Sequence, residues 1–196
     1  MAFLYYIIYK PYQVLTQFSA GGEKKTLKDF FDVPKDVYPV GRLDYDSEGL
    51  LILTNDTRLN KRLLLPENKH KREYWVQVDG AIAPEAISQL CKGVIINIDG
   101  KNYTTKPCKV SGFPQPPFLP ERTPPVRFRK AIPTSWIRME LTEGKNRQVR
   151  KMTAAVGFPT LRLVRYSIEK ITIEGMHPGA IKSLSEAEIH TLLFAR

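Results

Sequence analysis

Gly49-Leu-Leu-Ile-Leu-Thr54 is an unbroken apolar run, and the residues ahead of it, Gly41-Arg-Leu-Asp-Tyr-Asp-Ser-Glu48, are mostly polar or charged. A run this short and this apolar reads as a buried strand, so the chain must supply a sheet and enough cover to hide it. Gly41 and Gly49 bracket a charged loop that feeds straight into the strand. Such a loop can present a carboxylate at the mouth of a cleft while the rigid strand fixes its position.

The rest of the chain supplies the cover. Phe3 to Lys10 and Gln13 to Phe18 are rich in aromatic and β-branched residues and read as two strands broken by Pro11. Thr26-Leu-Lys-Asp29 opens a short helix, and Asp56 caps another that ends before Pro66. Glu73 to Asp79 alternates as a strand. Pro84 to Lys92 suits a helix closed by Gly93, and Val94 to Ile98 a strand turning at Asp99-Gly100. Six prolines between Pro114 and Pro125 exclude a helix or a central strand there and predict an ordered surface loop. Ser135 to Thr142 resumes as a strand. Asn146 to Val156 reads as a helix with Asn146 as cap and Gly157 past its end. Two strands follow, Thr160 to Tyr166 and Ile168 to Ile173, and Ser185-Glu-Ala-Glu188 opens a final helix as a capping box. Helices and strands mix without βαβ regularity, so the expected class is α+β around a largely antiparallel sheet. At 196 residues the chain is long enough for one well-buried domain, which could carry two lobes.

Charge narrows the partner. Thirty Lys and Arg against twenty Asp and Glu leave +10, an excess that suits a polyanion. It is also unevenly spread. Arg122, Arg127, Arg129, Lys130, Arg138, Lys145, Arg147, Arg150 and Lys151 face only Glu140 and Glu143 within their stretch, and a second cluster runs from Arg58 to Arg72. Separated basic patches interleaved with aromatics suit a phosphate backbone crossing several loops. The apolar run Ala2 to Ile8 is too short to span a bilayer, so no membrane partner is expected. Two cysteines and three histidines, none at ligand spacing, predict neither a disulfide framework nor a zinc site. The chain reads as cytoplasmic, free of metal and cofactor, and monomeric.

Two motif readings compete for the loop at 41–49. Asp44, Asp46, Glu48 and Gly49 match positions one, three, five and six of a calcium loop, but the twelfth position is Asn55 and no helix can enter through Pro39 and Gly41. A carboxylate pair for glycoside hydrolysis is also conceivable from Asp44 and Asp46, but the basic surface does not suit a neutral sugar. Further on, the cationic residues of Glu143-Gly-Lys-Asn-Arg-Gln-Val-Arg-Lys-Met152 open a helix whose first amides favour anions. There Lys145, Arg147 and Lys151 read as phosphate ligands, and Arg150 lies within reach of them.

Tyr9-Lys-Pro-Tyr12, Gly41-Arg-Leu-Asp44, Lys71-Arg-Glu-Tyr-Trp-Val-Gln-Val78 and Gly144-Lys-Asn-Arg-Gln-Val-Arg150 occur in that order. Together they resemble the motif set of the RsuA-type RNA pseudouridine synthases, and the resemblance continues through Phe158-Pro-Thr-Leu-Arg-Leu-Val-Arg-Tyr166. Within that family, residues 46–51 and 125–136 are most similar to members that act on the large ribosomal subunit. The resemblance implies a pseudouridine synthase fold, a central mixed sheet with a cleft across it, as a single catalytic domain over residues 1–196. It implies an isomerase that converts a uridine of 23S rRNA to pseudouridine, either in naked RNA or in an assembly intermediate. It further implies Asp44 as catalytic carboxylate, Tyr74 as the aromatic against the target base, Arg150 as the cation paired with the aspartate, and Leu163 as an apolar lining residue. Lys145, Asn146, Arg147 and Lys151 are then substrate-binding, and Arg42 either contacts phosphate or braces the loop.

The chemistry agrees with the composition. Isomerising uridine breaks a carbon–nitrogen bond, turns the base and rejoins it through carbon, so nothing is oxidised and no group leaves. A carboxylate held ionised by a guanidinium can act as nucleophile or base. The uridine must leave its helix, which calls for a basic channel and an aromatic platform. Many relatives carry a small RNA-binding module ahead of the catalytic domain. Here the first strand is expected at about residue 3, so target choice is expected from the loop at 111–133 and the basic patches. The competing reading is a non-catalytic rRNA-binding or ribosome-assembly factor, which has no need of an Asp–Tyr–Arg set.

Overall fold

The computed structural model describes residues 2–127 and 132–195; Arg129 and Lys130 of the basic stretch lie outside them. In chain order the strands and α-helices are β1 (Tyr5–Lys10), β2 (Tyr38–Pro39), β3 (Glu48–Thr54), α1 (Thr57–Leu64), β4 (Arg72–Asp79), α2 (Pro84–Lys92), β5 (Ile95–Ile98), β6 (Lys101–Thr104), β7 (Lys109–Gly112), β8 (Thr134–Leu141), α3 (Gln148–Ala155), β9 (Thr160–Ile168), β10 (Ile171–Thr172), β11 (Ile181–Leu184) and α4 (Glu186–Phe194). They fall into two compact units. One combines Met1–His70 with Val164–Arg196, and the other is the continuous segment Lys71–Leu163.

The first unit is built on β3. All seven of its residues are buried, Glu48 and Thr54 included. It pairs antiparallel with β1, from Tyr5↔Thr54 to Lys10↔Gly49, and parallel with β9 at Glu48↔Val164 and Gly49↔Arg165. β11 covers the other edge of β1 antiparallel, so the sheet is mixed and mainly antiparallel. Leu51 and Leu53 pack with Ile8, Val14, Leu27, Phe31 and Val37 in one core cluster. Asp56 ends β3 and starts α1: its Oδ1 accepts the amides of Arg58 (2.9 Å) and Leu59 (3.3 Å), and its Oδ2 the hydroxyl of Tyr5 (3.0 Å). That satisfies two of the donors a helix start leaves open. Ser185 and Glu188 cap α4 reciprocally, as their spacing predicts.

The second unit stacks β4, β8 and β7 antiparallel, with Tyr74, Val76 and Val78 opposite Met139, Ile137 and Ser135. β5 and β6 form a hairpin through Asp99-Gly100, both at positive φ (50° and 81°). Val76, Val78, Leu90, Ile96, Ile137, Met139 and Leu141 form its core with residues of α3. Cys91 and Cys108 are free thiols. The described residues 113–127 of the proline-rich segment contain neither helix nor strand, as expected.

One expected strand is absent. Gln13 to Phe18 is a looped segment whose main-chain bonds go elsewhere: Leu15 donates to Lys25 and accepts no neighbouring strand beyond a single bridge to Thr26. Gln13 turns at φ 56°, which ends the extended run that Tyr and β-branched content had suggested. Among the described residues no helix is long and apolar enough to cross a membrane.

Candidate active site

Asp44 stands half-buried in the loop between β2 and β3, and the main chain around it is pinned on each side. Thr16 Oγ1 donates to the Leu43 carbonyl (2.7 Å) and accepts the Leu43 amide (3.2 Å). Gln13 N–H donates to the Tyr45 carbonyl (2.8 Å), and Ser47 N–H to that of Asp44 (3.0 Å). The segment missing from the sheet thus serves as the clamp of this loop. Gly41 turns the loop in at φ +70° and Gly49 turns it out at φ +107°. At Gly49 a Cβ would lie 2.4 Å from the Arg165 carbonyl oxygen, so only glycine lets β3 and β9 approach there. The charged loop is therefore tied down at its main chain ahead of the strand it feeds.

Beneath it lies a buried charge cluster that the sequence motifs did not single out. Lys10 is wholly buried, and its Nζ donates to the carbonyls of Pro11 (2.8 Å) and Val14 (2.7 Å). Burial pushes its pKa down to about 7, against the pull of the Glu48, Asp44 and Asp46 carboxylates, while the Arg165 guanidinium pushes the same way as burial. Arg165, 4% exposed, donates from Nε to the Leu50 carbonyl (2.8 Å). Asp44 thus shares its surroundings with one buried ammonium and two further carboxylates. Arg42 is exposed. Among the described residues no group of three or more His, Cys, Asp or Glu is placed to hold a metal.

The other site residues named from the sequence belong to the second unit. Tyr74 is half-buried on the inward face of β4 and packs on the cluster that contains Val149 and Met152 of α3 and Leu163. Leu163 is 5% exposed within that cluster. Arg150 is half-buried on α3, and its Nη1 reaches the Thr160 carbonyl at 3.5 Å. Tyr74, Leu163 and the helix of Arg150 are thereby brought onto one apolar body, while Asp44 and Arg42 are part of the first unit.

Asn146 is not the helix cap expected of it. α3 starts at Gln148, and Arg147 takes the cap position in the left-handed region (φ 53°). The geometry is set by Glu143, 8% exposed. Its Oε2 accepts the Tyr103 hydroxyl (2.6 Å), and its Oε1 accepts the Lys106 amide (2.9 Å) and Gln148 Nε2 (2.5 Å). Gln148 Oε1 in turn accepts the Lys145 amide (2.9 Å). This closes the turn before Asn146 can cap it and leaves Lys145, Asn146 and Arg147 exposed, with the Lys145 ammonium 4.9 Å from the Tyr103 ring centre. The bond to Glu143, with burial and charge repulsion, raises the Tyr103 pKa to about 12. The one signal for this network in the sequence is that Glu143 is one of only two carboxylates amid the cations of its stretch. Lys151 is half-buried one turn on. Burial raises the Cys108 thiol to about 12, which leaves it protonated and unreactive near neutrality.

Comparison with known proteins points the same way. The model of the RNA pseudouridylate synthase family matches residues 4–155. A protein of Vibrio parahaemolyticus named ribosomal large subunit pseudouridine synthase E is 51% identical over 91% of this chain and 72% of its own length. One of the same name from Xanthomonas axonopodis pv. citri is 49% identical over 88% of this chain and 89% of its own length. A crystal structure described as pseudouridylate synthase superposes with a TM-score of 0.77 at 24% identity, over 98% of this chain and 74% of that one, a likeness of fold.

Proposed function

The chain belongs to the RNA pseudouridylate synthase family, and on that footing we propose that it isomerises one uridine of 23S rRNA to pseudouridine with Asp44 as the catalytic carboxylate. The reaction breaks the bond from the sugar carbon to N1 of uracil, forms one from the same carbon to C5, and moves a proton from C5 to N1. It balances without oxidant, reductant or group donor. In this reading Tyr74 lies against the base, Arg150 pairs with Asp44, Leu163 lines the pocket, and Arg42, Lys145, Asn146, Arg147 and Lys151 hold the RNA.

The observation that carries the reading is the build of the Asp44 loop. Two bonds with the Thr16 hydroxyl and two main-chain bonds fix the backbone at Leu43, Asp44 and Tyr45, on and either side of the carboxylate's residue. A carboxylate whose main chain is fixed on both sides is held in position for a reacting atom. Relatives named for the large ribosomal subunit and the net charge of +10 support ribosomal RNA as the partner. The same reading takes free rRNA or an assembly particle as substrate, one copy as the working unit and the cytoplasm as the compartment.

Release of tritium from 23S rRNA transcripts labelled at carbon five of uridine tests it. Wild type is expected to release label, and Asp44→Ala, folded as judged by circular dichroism, to release none. Label released by Asp44→Ala at near the wild-type rate would remove Asp44 from the chemistry. No release by wild type would favour a non-catalytic rRNA-binding protein.

A further inference from the structure

The proline-rich segment after β7 takes no part in the site above, yet it carries the most exposed large apolar side chain among the described residues. Phe118 is 98% exposed, against 62% for Ile95 and 61% for Tyr38. Its support is stiff. Pro116 and Pro117 precede it and Pro120 follows, and each ring fixes its own φ. Arg162 Nη2 donates to the Pro120 carbonyl at 2.8 Å. Arg122 donates to the carbonyls of Pro124 (2.8 Å), Pro125 (3.1 Å) and Leu161 (3.4 Å). Arg162 is 7% exposed and lies 6.0 Å from the Trp136 ring centre. Two guanidiniums thus tie the loop down beyond Phe118 while the ring itself stands in water.

A phenyl ring offered this way loses little conformational freedom when something packs on it. What packs on it is set by its surroundings. Arg122 and Arg127 follow on the same loop, with Glu121 as the only carboxylate between 113 and 127. A protein face would need a contiguous apolar patch several times the area of one ring, and the flanking Gln115, Glu121 and Arg122 are polar or charged. An aromatic platform with guanidiniums beside it fits an unpaired nucleobase and its phosphates.

We propose that Phe118 is a base-stacking residue that takes an unpaired nucleotide of the substrate RNA, other than the reacting uridine assigned above to Tyr74, and so helps to choose the target. This rests on RNA being the substrate. The loop acts as a fixed finger: the prolines and the two arginines hold its shape, the ring stacks, and the exposed Arg127 meets the backbone.

Binding of a 23S rRNA transcript by filter retention, with tritium release from the same transcript, tests the proposal. Phe118→Ala is expected to raise Kd and KM about tenfold or more with kcat within about twofold, the loss typical of one stacked base. Phe118→Trp is expected to restore both, and Phe118→Leu to restore neither. The ring is exposed, so these variants should melt with wild type. Unchanged Kd in Phe118→Ala overturns the proposal, as does full rescue by Leu, which marks plain apolar contact. So does a wild-type dimer in light scattering that Phe118→Ala dissolves without weakening RNA binding. Wild type that binds RNA through Phe118 but forms no pseudouridine would refute the enzymatic reading and leave this inference standing.

Discussion

Replacing Lys10 by Met should change how stability depends on pH more clearly than it changes stability at any one pH. In the folded chain the Lys10 ammonium is wholly buried and its pKa falls from 10.5 to about 7, which corresponds to roughly 5 kcal/mol in favour of the neutral amine. Burial is the larger cause, and Glu48, Asp44 and Asp46 offset part of it. The folded pKa lies below the unfolded one, so between them the unfolded chain holds more protons, and this group's contribution to stability rises with pH. Below pH 7 the cost of burying the ammonium is felt in full. From pH 7 to 9 the wild type should therefore gain about 2 kcal/mol relative to Lys10→Met. At a single pH that comparison mixes relief of burial with loss of the bonds to the Pro11 and Val14 carbonyls, whereas the slope isolates the ammonium. Urea unfolding followed by tryptophan fluorescence at pH 7, 8 and 9 measures it. A difference between the two proteins that stays constant over that range would refute the reasoning, because Lys10 would then titrate alike in both states.

Glu143→Gln should cost about 2–3 kcal/mol by weakening charge-assisted bonds to a buried carboxylate, and it should bring the Tyr103 pKa down from about 12 toward 10, read by phenolate absorbance. Gly49→Ala should cost at least about 3 kcal/mol in chemical unfolding, since its Cβ meets the Arg165 main chain at 2.4 Å with φ at +107°. Asp56→Ala tests the cap of α1. Burial pushes the Asp56 carboxyl up, but bonds from the Leu59 amide, the Tyr5 hydroxyl and the Arg58 amide outweigh it and hold its pKa below 3.8. A depressed carboxylate stabilises above its unfolded pKa and loses that effect as pH falls through its folded one. The stability gap between wild type and Asp56→Ala, about 1–2 kcal/mol at neutral pH, should therefore narrow below pH 4.

What could be read without coordinates was local chemistry. The apolar run at 49–54 is the buried β3, Asp56 and Ser185 cap their helices, Pro84 and Gly93 bound α2, and Asp99-Gly100 turns a hairpin. Each depends on residues within a few positions of one another. The misses depend on distant ones. Gln13 to Phe18 has strand composition, but its groups are spent on the loop around Asp44, up to 32 residues away. Asn146 has cap chemistry, but Glu143 and Gln148 close the turn first. β6, β7 and β11 are short and largely exposed, so they lack the alternation that betrays a strand. Lys10 was visible as part of a motif, while its burial among three carboxylates was not, since nothing in Tyr-Lys-Pro-Tyr says what lies beneath.

The first unit joins Met1–His70 with Val164–Arg196, and β1 lies between β3 and β11. β3 follows β1 within some fifty residues, whereas Ile181–Leu184 follow it only after some 170. During synthesis one edge of β1 therefore waits open, with Tyr5 to Ile8 unpaired on that side, until after the continuous Lys71–Leu163 segment is complete. That exposed edge is a natural holding point for a chaperone, and a chain cut short before residue 180 should be prone to strand-mediated aggregation.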